Sequence, residues 1–243
     1  MLDITDTGAV RTALLDYAPD AVIHCAAYTA VDKAETERDI CRRVNADGTA
    51  NIASVCAELG CKLLYVSTDY VFPGTGDAPW EVGDRPAPVN TYGESKLAGE
   101  RAVRSAVEQH FIVRTSWVFG EGGNFVRTML RLSESREEVR VVADQIGSPT
   151  YAADLAILLC DMIETERYGT YHAANEGFCS WADFAAAIFA LAGKRTRVQP
   201  IATAEYPTAA ARPLNSRLSR RSLDAAGFDR LPPWEDALKR YLK

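Results

Sequence analysis

Long apolar runs are missing from this 243-residue chain. None approaches the ~18 consecutive apolar residues of a membrane-crossing helix, so no membrane partner is expected. The first residues, MLDITDTGAV, are acidic and poor in hydrophobics, and no secretory signal is expected there. Histidine is scarce, with three in all, and none of the six cysteines forms a CxxC pair. Cys56 and Cys61 lack the neighbouring histidines of a zinc site, so no metal site is expected. Each cysteine lies in an apolar stretch, where a free thiol behaves as a small hydrophobe, which points to a reducing, cytoplasmic compartment. Basic residues are outnumbered, 27 against 33 acidic, and the net charge of −6 excludes a general nucleic-acid binder. A local arginine cluster or a set of backbone amides can still hold an anionic ligand. No block of like charge, internal repeat or low-complexity tail is visible. No GxGxxG or GxxGxxG occurs anywhere in the chain.

What is present is an ordinary globular composition, 47% hydrophobic and 25% charged. Apolar strand-like runs alternate with helical periodicity. Residues 7–17 and 39–59 read as helices, the second closed by Gly60 as C-cap. Residues 21–25, 62–67, 110–115 and 139–142 read as buried strands. Residues 92–109 and 124–133 read as further helices, and the Gly/Pro-rich loop 73–90 is long enough to suggest a function. This alternation predicts an α/β fold with a doubly wound parallel sheet. Past residue 145 the rhythm changes to helices at 151–163 and 180–192 joined by proline-containing connectors. The expected division is therefore 1–145 for a dinucleotide-binding part and 146–243 for a smaller, mostly helical substrate lobe.

Three features point to chemistry. Ser67-Thr68-Asp69 follows directly on a strand, where ligands of open α/β sheets bind, and a hydroxyl there can donate to a carbonyl. Taken alone, a turn or helix cap is the commoner use of such residues. Tyr92 and Lys96 stand four apart at the start of a helix and share one face. A nearby ammonium favours phenolate and makes the phenol a better proton donor. Taken alone, that spacing often marks only a surface tyrosine. The strand at 21–25 runs into Ala26-Ala27-Tyr28-Thr29, whose small residues allow a cofactor close approach or merely tight packing. The three strand ends together describe carbonyl reduction by hydride transfer.

The strings VDKAE (31–35), STDYVFPGTGDAPW (67–80), YGESKLAGE (92–100), RTSWVFG (114–120), FVRTML (125–130) and RPLNSRL (212–218) resemble the dTDP-4-dehydrorhamnose reductase family of extended short-chain dehydrogenases. The resemblance implies a Rossmann-like fold and NADPH- or NADH-dependent reduction of the C4 keto group of a dTDP-linked deoxyhexose. It makes Tyr92 the proton donor, Lys96 its activator and a cofactor ligand, and Thr68 the group that polarises the ketone. Asp69 and Trp117 would contact the sugar nucleotide. Ala27, Tyr28 and Thr29 would line the cofactor, with Asp3 and Ile4 beside its adenine. For Asp3 a helix-capping role before Thr7 is equally open, and Trp117 could instead be a core aromatic. Arg212 and Arg217 would meet phosphates or form surface ion pairs, and His24 is expected to be a satisfied core residue. A homodimer is compatible with the family, and Mg²⁺ leaves no signature in these residues.

The family opens with a strand, a glycine turn, a helix and a second strand, and this sequence starts at what resembles the segment after them. The first strand-helix-strand unit, with its pyrophosphate cradle and NAD/NADP selector, is expected to be absent from these residues, so that these residues alone are expected to bind NADPH negligibly and to expose apolar surface. Two other functions fit the same motifs. One is a sugar-nucleotide epimerase or dehydratase, the other a non-catalytic subunit resembling the regulatory subunit of methionine adenosyltransferase.

Overall fold

The computed structural model describes residues 2–243. Helix α1 (Thr7–Tyr17) is capped by Asp6, whose side chain accepts from the Ala9 amide, and it leads into strand β1 (Ala21–His24). The long helix expected at 39–59 forms with an interruption. An α-turn at Arg38–Arg42 passes into a π-helical turn at Arg43–Asp47 before α2 (Gly48–Leu59). Gly60 closes it at φ 68°, a left-handed conformation that glycine adopts without steric cost.

Then come β2 (Lys62–Thr68), α3 (Thr91–Ala106), β3 (His110–Thr115), α4 (Phe125–Ser133) and β4 (Glu138–Val142). The chain continues through α5 (Ala152–Ile163), β5 (Gly169–His172), α6 (Trp181–Leu191), β6 (Arg197–Ile201) and α7 (Trp234–Tyr241). The main sheet is parallel in the order β1-β2-β3-β5. Successive side chains of a strand face opposite sides, and both sides here are covered. Leu63 and Tyr65 pack with Val10, Ile52, Cys56 and Val103 of α1, α2 and α3. Leu64 packs with Leu155, Leu158 and Met162 of α5. That is the doubly wound arrangement. Strand β5 was not readable in advance: GTYH shows neither a long apolar run nor clean alternation.

Strand β4 joins no strand of the main sheet. It pairs in parallel with β6, and α6 lies between them in sequence. Around this pair a second core gathers Phe119, Val126, Phe184, Ile188 and Trp234. Ser180 and Asp183 form the expected capping box at the start of α6. Arg240 of α7 grips Asp154 of α5 in a two-pronged pair at 2.7 and 2.6 Å, and Asn175 donates to the same carboxylate at 2.8 Å. These contacts fasten the second core to the sheet.

Candidate active site

Strands β2 and β3 end level, with Thr68 opposite Thr115, so their last residues open on one edge of the sheet. Thr68 is buried. Its hydroxyl caps the short 3-10 turn Asp69–Val71 by accepting from the Tyr70 amide at 3.2 Å and donates to Asp69 Oδ1 at 3.1 Å. The cap that the bland reading foresaw is therefore real, and the same hydroxyl also faces the Tyr92 phenol. Burial pushes the Asp69 carboxyl up to about 6, against the pull of the Ser216 and Thr68 hydroxyls and two amides. Its Oδ2 and the Thr115 hydroxyl are the buried side-chain oxygens left without a partner among the described residues.

Tyr92 opens α3, whose N-cap is Asn90. Glu35, from the VDKAE string, accepts from the Thr91 amide at 2.8 Å and so steadies this helix start. The Tyr92 ring is half-buried and stands edge-on to Tyr70 at 5.6 Å. Desolvation raises its phenol above the ordinary value, and the Thr68 hydroxyl opposes this. One turn on, Lys96 is 3% exposed and donates to the Val66 carbonyl at 2.8 Å, with its ammonium 4.1 Å above the Tyr65 ring. Burial lowers it to about 7, while Glu100, Cys25 and Cys41 push the other way. The ammonium thus lies under the strand ends with its charge felt at His24 and Cys25, and is not among the groups that move the Tyr92 phenol.

Ala27, Tyr28 and Thr29 leave β1 on its open side, Ala27 and Tyr28 half-buried and Thr29 exposed. Asn45 brackets the Tyr28 backbone, accepting from its amide at 2.7 Å and donating to its carbonyl at 3.0 Å. The same Asn45 amide group reaches Ser95 of α3 at 2.9 Å. A polar residue inside a helical pattern gave no warning of this bridge between the β1 end and α3. Asp3 is exposed, accepts from the Thr5 amide at 2.9 Å, and leaves the capping of α1 to Asp6. Ile4 packs beside Gly48. The Ile4 carbonyl also accepts from the Asn51 side chain of α2 at 3.0 Å.

Trp117 is half-buried, at φ 48°, and stacks on Trp181. It also packs against the second core. A cavity of about 1170 Å³ is lined by Asp32, Tyr70, Phe125, Gln145, Trp181 and Arg212 among others. Tyr70 connects it to Tyr92. Arg212 pairs with Asp32 at 2.7 Å. Arg217 turns to Asn215 at 3.0 Å. The Asn215 side chain in turn holds the loop after β2 by donating to the Ala78 carbonyl at 2.8 Å. His24 is buried and bonded to Thr49 at 3.0 Å, as a core histidine should be.

The scattered motif strings thus meet at one crevice. The model of the RmlD substrate binding domain matches residues 1–243. The chain belongs to this family. A dTDP-4-dehydrorhamnose reductase of Sinorhizobium fredii is 42% identical over 98% of the chain and 84% of its own length. The spore coat polysaccharide biosynthesis protein SpsK of Bacillus subtilis is 42% identical over 100% of the chain and 86% of its length. The crystal structure of a Bacillus anthracis dTDP-4-dehydrorhamnose reductase in complex with NADP superposes with a TM-score of 0.97 at 48% identity, covering 99% of this chain and 86% of that one. A Thermus thermophilus UDP-glucose 4-epimerase, at 21% identity and a TM-score of 0.83, shares the fold.

Proposed function

We infer that the chain is an NADPH-dependent dTDP-4-dehydrorhamnose reductase, which reduces the C4 ketone of the dTDP-linked 4-keto sugar to the alcohol of dTDP-L-rhamnose. The observation that carries this reading is the meeting of Thr68, at the end of β2, with Tyr92 and Lys96 in the first turns of α3. The residues present fit a nicotinamide cofactor in part. The small-residue exit of β1 is open on the face beneath which the Lys96 ammonium lies, while no glycine-rich phosphate turn occurs among them. Ala27, Tyr28, Thr29, Tyr92 and Lys96 would hold it, with Asp3 and Ile4 as outlying contacts.

When bound, the cofactor supplies a hydride to the ketone carbon. Thr68 hydrogen-bonds the ketone oxygen and so favours the charge that develops there. Tyr92 gives that oxygen its proton. Nothing near the phenol strips it of its proton at neutral pH, so it waits as a loaded donor, and an alkoxide is basic enough to take the proton from it. Lys96 provides the positive charge beneath the site once phenolate forms. Asp69 and Trp117 contact the sugar nucleotide, whose bulk suits the cavity beside Tyr70; binding cavities commonly run to ~300–1,000 Å³.

No helix among the described residues is long and apolar enough to cross a membrane. The free cysteines, four of them buried, support a cytoplasmic setting. Incubation with NADPH and dTDP-4-dehydrorhamnose tests the whole reading. Stoichiometric loss of NADPH absorbance with formation of dTDP-L-rhamnose is expected. Product formed without net cofactor consumption would instead mark an epimerase or dehydratase, and binding without turnover a regulatory subunit.

A further inference from the structure

Glu100 takes no part in the chemistry just described, yet it is fully buried one helical turn beyond Lys96. Its carboxylate accepts from Arg114 Nε and Nη2, both at 2.8 Å, and from the Ser67 hydroxyl at 2.6 Å. Arg114 is 1% exposed at the end of β3, over the Phe72 ring and within 3.5 Å of His172 Nε2. Ser67 directly precedes Thr68. One carboxylate therefore fastens three pieces: the strand that carries Thr68, the helix that carries Tyr92 and Lys96, and the neighbouring strand end.

A buried ion pair costs desolvation, and a well-packed apolar pair of similar volume commonly replaces it without loss of stability. Stability alone is thus a weak reason for this pair. Its placement is more telling. The groups around the Lys96 ammonium are His24 and Cys25 after β1, Cys41 of the turn Arg38–Arg42, Tyr65 and the Val66 carbonyl of β2, and Glu100. Glu100 is the only carboxylate among them.

We propose that Glu100, seated by Arg114 and Ser67, is a positioning residue that keeps Lys96 an ammonium and holds the Thr68 strand end against the Tyr92 helix. The proposal rests on Tyr92 and Lys96 being the proton-donating pair. Besides Arg114, Arg104 one turn further along α3 reaches the Glu100 carboxylate at 3.2 Å, and the same carboxylate favours the charged form of Lys96. Burial brings Lys96 down to about 7, and Glu100, one turn along the same helix and fixed by Ser67 and Arg114, opposes that fall.

The chain contains six lysines, which makes selective ¹³Cε-lysine labelling practical, with Lys96 assigned by Lys96→Met. In the parent, Lys96 should titrate near 7. Glu100→Gln leaves Arg114 and Lys96 as two buried cations and should cost much stability. The double variant Glu100→Gln with Arg114→Met removes the stranded charge, so it should regain most of that stability. Its Lys96 midpoint should nevertheless fall by about one pH unit or more, the usual effect of losing a close opposite charge. A midpoint that coincides with the parent's would overturn the proposal and leave Glu100 a packing residue. Should the double variant fail to fold, the parent still decides the matter. Its ¹³Cδ-labelled Glu100 signal must show a step at the Lys96 midpoint, and a featureless signal there overturns the proposal. Both titrations read the chain without turnover, so a missing reductase activity would count against the proposed function alone.

Discussion

Trp117 lies flat on Trp181, with ring centroids 3.7 Å apart and planes 14° apart. The stack joins the segment after β3 to the first residue of α6 and so ties the main sheet to the second core. Trp117 reaches this position through a left-handed backbone at φ 48°, a conformation that costs a non-glycine residue roughly 1–3 kcal/mol. Gly147 makes room beneath it, since a Cβ there would lie 2.8 Å from the indole.

Replacing Trp117 should therefore weaken substrate binding more than cofactor binding. An aromatic stacking contact contributes ~0.5–1.5 kcal/mol beyond burial, so Trp117→Ala should raise KM for the sugar nucleotide about three- to tenfold. KM for NADPH should move little. Steady-state kinetics that leave both constants unchanged while Tm falls would return Trp117 to the core.

Tyr92→Phe should lower kcat by about 10²–10⁴-fold, the scale of a lost general acid, with little change in sugar-nucleotide binding. The ring and its edge contact with Tyr70 survive the substitution, so Tm should hold. Activity close to the parent's in an NADPH-oxidation assay would remove Tyr92 from the acid role.

Acid should destabilise the fold through its histidines. Desolvation lowers buried His24 and His172 to about 3, from an ordinary 6.5, with Lys96 and Arg114 respectively adding to the effect. Between those values the unfolded chain binds more protons, so stability falls as pH drops from 6.5 toward 3. Asp69, raised to about 6 from 3.8, works in the opposite direction between its two values and offsets part of the loss. Thermal melts at stepped pH should show Tm declining below 6.5, with a shallower decline in His172→Gln. A Tm independent of pH in that window would show that the histidines charge without cost.

Gly99→Ala tests how closely α3 must approach its neighbours. Alanine is the better helix former by ~1 kcal/mol. Here, however, its Cβ would stand 2.4 Å from Tyr65 Oη and 2.6 Å from the Asn45 carbonyl. Overpacking should prevail, with a net loss of about 1–3 kcal/mol in urea unfolding. Gly83→Ala meets nothing within 4 Å and should be close to neutral. Equal stabilities for the two variants would show that α3 shifts freely.

Strands with a strong apolar signature were legible because burial on both faces demands it. LLYV in β2 and FIV in β3 are examples, and His110–Thr115 has the expected bounds. Thr68, Tyr92 and Lys96 could be found because their roles depend on short spacings and on the position of a strand end. Asn45, Glu100 and Arg114 could not be found that way, because their partners lie up to 50 residues away. A Lys96–Glu100 spacing of four was there to be seen, but on a helix it usually signals a solvated ion pair. The pairing of β4 with β6 was hidden for a related reason: RVQPI is mostly exposed and contains a proline, which fits an edge strand and little else.

The π-helical turn at Arg43–Asp47 makes the length of this segment a matter of phase. Each residue advances a helix by about 100°, so removing one between 43 and 47 would restore ordinary α-hydrogen bonding and swing the preceding turn about a quarter-circle. Cys41 would turn away from Ser95, which it now meets at 3.2 Å, and Asn45 would lose its hold on Tyr28. A one-residue deletion is commonly tolerated in a loop. Here it would act like a misaligned gear, leaving both helices intact while uncoupling the end of β1 from the helix that carries Tyr92.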